Sequence, residues 1–394
     1  MAIAAVPEYL GTDFSTAAPG HRFGMYLKLW GVNSRSKEML WTTHDVNYCS
    51  TGQRREEREF KDENKSSALS DALKLNASDK DAMQALAVRQ KTLAVFLEST
   101  GQLLRLEART VAPFATGLGN EHPLENGFAF LNPYGLPYLP GSGVKGVLRV
   151  AARELADSTF DSTDGWTYDE IDALFGREGE NGDSDHQRGT LNFWDVIPQI
   201  NGDSLKVEVM TPHQSHYYQK NESPHESGSP NPINFLTVPP DSGFVFHVQC
   251  NRAFLARIAP ALTENDRWKD LLQAAFAHAY DWLGFGAKTA VGYGAMRETS
   301  AQERAALQAA ELRCEWVEDT IKAIAAKNRV PNNKLDEVLR GKPLAEAWRA
   351  ISDRGLKAKA LADIRSQWQL KGWWDLPPPG VASKAKAVYA ADNG

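Results

Sequence analysis

Asn132 to Arg153, NPYGLPYLPGSGVKGVLRVAAR, constrains this chain more than any other stretch. Pro133, Pro137 and Pro140 hold an extended approach, and Gly141-Ser142-Gly143 then makes a turn into a helix. Val144, Val147, Leu148, Ala151 and Leu155 recur at spacings of three and four, the period of one buried helical stripe. Lys145, Arg149 and Arg153 repeat every four residues on roughly the opposite face, and no acidic residue interrupts the stretch. A glycine turn at a helix N-terminus offers unpaired N–H groups and the positive end of the dipole. Such a turn suits an anion. The plainer alternative is a tight turn before an ordinary amphipathic helix.

Gly141 to Gly146 also matches G-x-G-x-x-G, but the strand that a dinucleotide fold needs before the first glycine is replaced by prolines. The region downstream, Thr159 to Asp172, is polar and turn-like, and no G-K-[ST] follows for a phosphate loop. A nucleotide cofactor is therefore not expected. A second glycine-rich loop, Gly284-Phe285-Gly286-Ala287-Lys288-Thr289-Ala290-Val291-Gly292-Tyr293-Gly294, again carries one lysine and no acid.

The pair P-G-S-G-V-K-G-x-L-R and G-F-G-A-K-T-A-V-G-Y-G resembles the RAMP superfamily of CRISPR RNA-binding proteins. Val209-Met210-Thr211-Pro212-His213, Tyr217-Tyr218 and Phe235-Leu236-Thr237-Val238 narrow the resemblance to the sixth-subunit RAMP family of type III-B (Cmr) effector complexes, over roughly Leu103 to Arg297. It implies an α+β fold, with a ferredoxin-like or RRM-like core carrying large insertions. It also implies a non-catalytic subunit that grips the 3′ part of the guide RNA, with no catalytic residue, metal or cofactor. Expected partners are guide RNA, alone or with target RNA, the other RAMP backbone subunits and the small helical subunit. The residues expected to bind RNA are Ser142, Gly143, Lys145, Arg149, Arg153, Gly284, Gly286, Lys288, Thr289, Gly292 and Tyr293.

A net charge of −6 supplies no global basic field, so any RNA contact must come from such local patches. Cys49, Cys250 and Cys314 are odd in number and far apart, which fits a reducing cytoplasm without structural zinc. The first residues lack a signal peptide's basic and apolar regions, and no run reaches a membrane span. The length prompts two or three domains, and the chain divides into an N-terminal accessory segment (1–100), the RAMP core (101–299), a helical extension (300–375) and a flexible tail (376–394).

Strand, helix, strands, helix, strand is the expected order of the core, with Trp268 to Trp282 as the second helix and Trp282 inside. Thr190–Ile197 and Leu205–Val209 are expected to pair around Asn201-Gly202, and Phe235–Val238 with Phe244–Cys250 around Pro239 to Gly243. Helices are expected at about 301–327, 333–340 and 343–369. Between Thr211 and Asn234 lies an insertion with His213, His216, Tyr217, Tyr218 and His225. Its H-x-x-H spacing is a weak metal pattern. Two readings stay open: a loop facing RNA or a subunit, and a metal-independent endoribonuclease site with His213 or His216 as general base. Tyr134, Tyr138, Phe285 and Tyr293 beside the basic loops suit base stacking, though core packing is the commoner fate of an aromatic.

Overall fold

Apolar residues recurring at every second position build the sheet at the centre of the first part of the chain. The structure is a computed structural model and describes residues 3–32, 39–41, 45–49, 56–60, 63–124, 126–157, 165–177, 187–211, 223 and 232–391. The chain forms two compact units, Met1–Glu298 and Thr299–Gly394. In chain order, the elements of the first unit that position the site are α1 (Ala77–Ser99), β1 (Leu103–Thr110), α2 (Gly141–Ala156), α3 (Tyr168–Phe175) and β2 (Leu191–Phe193). They continue with β3 (Lys206–Met210), β4 (Ile233–Thr237), β5 (Gly243–Cys250), α4 (Arg267–His278) and β6 (Met296–Glu298).

The four-stranded antiparallel sheet runs β2-β5-β1-β6. Phe244, Phe246, Val248 and Cys250 of β5 are buried, in register with Ala108, Leu106 and Leu104 of β1, so even-numbered residues share one face. That face joins a core with Val144, Leu148, Ala151 and Leu155 of α2 and Trp268, Leu271, Leu272, Ala275 and Phe276 of α4. The stripe read from the spacing of α2 is thus its buried face. Burying each large aliphatic side chain there stabilises by about 1.5–3 kcal/mol. On the opposite face His247 is buried beside Trp194, ring centroids 5.1 Å apart.

Both expected hairpins are absent. β3 pairs with β4, while β2 and β5 pair with each other inside the central sheet. Asn201-Gly202 and Pro239–Gly243 are turns between sheets, with Asp241 at φ +60. A favourable turn pays only locally, whereas pairing with β1 buries the whole apolar face of β5.

The second unit is helical: Ala301–Glu311, α5 (Glu315–Lys327), Leu335–Leu339, α6 (Lys342–Arg349), α7 (Arg354–Leu370) and α8 (Val381–Ala391). The single helix expected over 301–327 is broken before Cys314, whose N–H donates to the buried Asp363 Oδ2 at 2.8 Å. The segment expected as a flexible tail holds α8. Ala382, Ala385 and Tyr389 on one helical face pack with Trp348 and Trp368, so burial of that face orders what composition made look mobile. No helix among the described residues is long and apolar enough to cross a membrane.

Candidate nucleic-acid interface

Helix α2 starts at Gly141 because Pro140 ends the extended approach and its carbonyl accepts from the N–H groups of Gly143 and Val144, at 2.9 and 3.2 Å. Gly141 N–H donates to Asp195 Oδ1 at 2.8 Å. The acid-free stretch therefore meets a carboxylate from elsewhere in the chain, which already sits at the positive end of the helix. A Cβ on Gly141 would lie 2.2 Å from Phe193 O, so this glycine serves close packing of α2 on the end of β2. Ser142 and Gly143 remain exposed, and Lys145 is half-buried.

The two arginines of α2 turn toward α3. Arg149, expected to be solvated or on RNA, is half-buried and donates to Gly176 O at 2.9 Å, at the C-terminal end of α3. A cation there complements the carbonyl end of the helix dipole. Arg153 acts electrostatically on Tyr168, whose hydroxyl donates to Asp157 Oδ1 at 2.8 Å. On the same helix Glu154 Oε2 lies 2.7 Å from His278 Nε2, joining α2 to α4.

The second glycine loop is a run of left-handed backbone. Gly284, Gly286, Lys288, Gly292 and Gly294 have φ of +69, +94, +59, +96 and +71. Gly286 and Gly294 also face backbone, since a Cβ would lie 2.2 Å from Ala115 O and 1.8 Å from Phe285 O. Lys288 adopts this conformation with a side chain, as Asp241, Asn265, Asp266 and Arg329 do elsewhere in the chain. Its Nζ is 3.2 Å from Met210 Sδ and 5.4 Å from the centre of the Phe235 ring. Tyr293 packs edge-on against Phe235 and donates to Glu208 Oε2 at 3.4 Å. Burial first, then the Glu208 charge, raise the Tyr293 hydroxyl above its ordinary pKa.

Loop and ribbon thus form one assembly, with Thr289 half-buried in it. Met210 and Ile233 are also where the insertion leaves and rejoins the β3–β4 ribbon. His213, His216, Tyr217 and Tyr218 lie outside the described residues. Among the described residues, no group of three or more His, Cys, Asp or Glu is placed to hold a metal ion.

Both glycine stretches hang on one strut, residues 113–116. Pro113 O and Ala115 O accept from Gly294 and Ala287 of the second loop, at 2.8 and 2.7 Å. Thr116 O accepts from Ala129, whose carbonyl accepts from Tyr138 just before the first glycine turn, at 3.2 and 3.4 Å. Of the aromatics expected near RNA, Tyr134 is exposed, Tyr138 and Tyr293 are half-buried and Phe285 is fully buried. Trp282, expected in the core, is 65% exposed. It follows α4 in a π-helical turn, Ala279–Leu283, and the extra residue per turn rotates position 282 out of the buried stripe.

Residues 107–297 match the RAMP superfamily. Among curated proteins, the CRISPR system Cmr subunit Cmr6 of Pyrococcus furiosus is 26% identical over 248 residues, 48% of this chain and 66% of that protein. The chain therefore spans just under two thirds of that relative's length. Solved structures similar to this chain include the type III-B Cmr-beta complex bound to cognate target RNA, at TM-score 0.39 and 20% identity over 55% of this chain and 65% of that one. They also include Cmr6 from Pyrococcus furiosus, at TM-score 0.27 and 25% identity over 50% and 98% of the two chains. A type IV-B CRISPR complex is similar at TM-score 0.33 and 14% identity, over 50% and 90%.

Proposed function

We propose that this chain, whose residues 107–297 match the RAMP superfamily, is an RNA-binding subunit of a type III-B-like CRISPR effector complex. It grips the 3′ part of the guide RNA and leaves cleavage to other subunits. The observation that carries the reading is the left-handed, acid-free loop around Lys288, mounted on the same strut as the turn into α2. A glycine loop of this kind brings backbone N–H groups close to phosphate, and the lysine adds a point charge. The strand order β2-β5-β1-β6, with α2 and α4 crossing over one face, supports a ferredoxin-like core with the β3–β4 ribbon as an insertion. Neighbouring RAMP backbone subunits and the small helical subunit are part of the same proposal.

The test is binding of single-stranded RNA by the full chain across a salt series. Lys145→Ala and Lys288→Ala should each weaken binding and flatten the salt slope by about 0.7–1 unit, with little loss of folding. An unchanged slope in both variants would remove the phosphate assignment. The endoribonuclease alternative, with His213 or His216 as base, predicts instead that the purified chain cuts guide precursor at one site without metal.

A further inference from the structure

The charge of the chain is segregated. Residues 299–394 hold 16 Lys and Arg against 12 Asp and Glu, whereas the whole chain holds 44 against 50. Within that unit the two last helices are more one-sided still. Arg354, Lys359 and Arg365 of α7 are exposed, and its single acid, Asp363, is buried and accepts from Cys314 N–H. Helix α8 has no acid at all and exposes Lys384.

The two helices meet at Trp374. The Arg365 guanidinium lies 5.3 Å from its ring centre and Lys386 Nζ 3.3 Å, with Lys386 also donating to Trp374 O at 2.8 Å. Burial lowers the Lys386 pKa; attraction to Asp375 opposes the shift, and the smaller repulsion from Arg365 adds to it. Two cations from different helices are thus held on one indole, with Asp375 offsetting part of their charge. Stacking fixes a guanidinium by its plane and leaves its edge N–H donors available for an oxyanion.

We propose that the α7–α8 face centred on Arg365, Trp374 and Lys386 is a second polyanion-binding surface, and that its occupant is single-stranded RNA. Arg354 and Arg365 lie 11 residues apart on α7, about 16 Å along the helix, which fits a line of phosphates rather than one. The basic face does not depend on the function proposed above. The choice of RNA over an acidic protein surface does rest on it.

The experiment measures anisotropy of a labelled single-stranded RNA on the full chain across a salt series. Two variants are used: R365Q/K386Q, at the indole, and R354Q/K359Q/K384Q, which removes only exposed cations and spares the packing. Each should bind several-fold more weakly than the parent at moderate salt, with the slope reduced by about 0.7 for every cation that meets a phosphate. Equal affinity and slope in both variants overturn the proposal, as does a parent chain that binds no RNA. Competition by poly-glutamate at the same charge concentration, as strong as that by unlabelled RNA, overturns the RNA assignment in favour of an acidic protein partner. The K145A/K288A chain separates the two readings. If it binds like the parent while the C-terminal variants do not, the core interface fails and this surface stands.

Discussion

A methyl group at Gly286 would meet the carbonyl oxygen of Ala115 at 2.2 Å with φ at +94, so neither space nor backbone admits it. Gly286→Ala should therefore cost several kcal/mol, well above the roughly 1 kcal/mol of strain alone. Gly292, at φ +96 with open space around it, carries only that strain, and Gly292→Ala should cost about 1 kcal/mol. Gly143 lies within helix α2 with ordinary helical backbone, and its Cβ would meet only the end of the Leu139 side chain at 3.3 Å. Gly143→Ala should keep stability or raise it by about 0.5–1 kcal/mol. Denaturant melts of the three variants check this order, and RNA titration of Gly143→Ala then reports access alone. Arg149 belongs to the same scale. Because its guanidinium serves the Gly176 carbonyl, Arg149→Ala should cost about 1.5–3 kcal/mol of stability and leave the salt slope of RNA binding unchanged. The four-residue spacing placed Arg149 on the polar side of α2; its partner, 27 residues later, is supplied only by packing of α3.

Among the elements, helices α2 and α4 and strands β1 and β5 are legible in apolar period, because each buries one face against a common core. Their pairing is not. Local turn signals name plausible neighbours, yet register is settled by which strand can cover the apolar face of β5. The π-helical turn after α4 is equally illegible, and it decides where Trp282 goes. Trp282→Ala should leave stability within about 0.5 kcal/mol, as for an exposed residue, and reduce RNA affinity if bases stack there, by about 1–3 kcal/mol per base. Thermal melting beside RNA titration separates the two effects. Strand β5 carries a pH signature. Burial first, then Arg105, hold the His247 pKa down at about 4, below the ordinary 6.5. Between those values the unfolded chain takes up a proton that the native chain refuses. Stability should fall as pH drops from about 6.5 to about 4, by at most about 1.4 kcal/mol per pH unit, and level off from this cause below. Subtracting the curve of His247→Phe from that of the parent isolates the effect; a flat difference would show that His247 is protonated in the native state.

For the whole molecule, the proposed non-catalytic role carries an expectation for the insertion. Replacing His213 and His216 together by alanine should leave the RNA cleavage pattern of the assembled complex unaltered. A chain that cuts guide precursor alone, and stops cutting in the double variant, would make it an enzyme. The two glycine loops, the periodic helices and strands, and the compositional change after residue 300 are legible in the residues alone, since they follow from side-chain period and backbone freedom within a few residues. Three-dimensional packing alone brings Asp195 to the start of α2, Arg149 to the Gly176 carbonyl, and Lys288 against Met210 and Phe235. It also decided that α8 is packed rather than free. Each of these depends on groups tens of residues apart in the chain meeting in three dimensions, and burial energy, which has no sequence period of its own, selects those meetings.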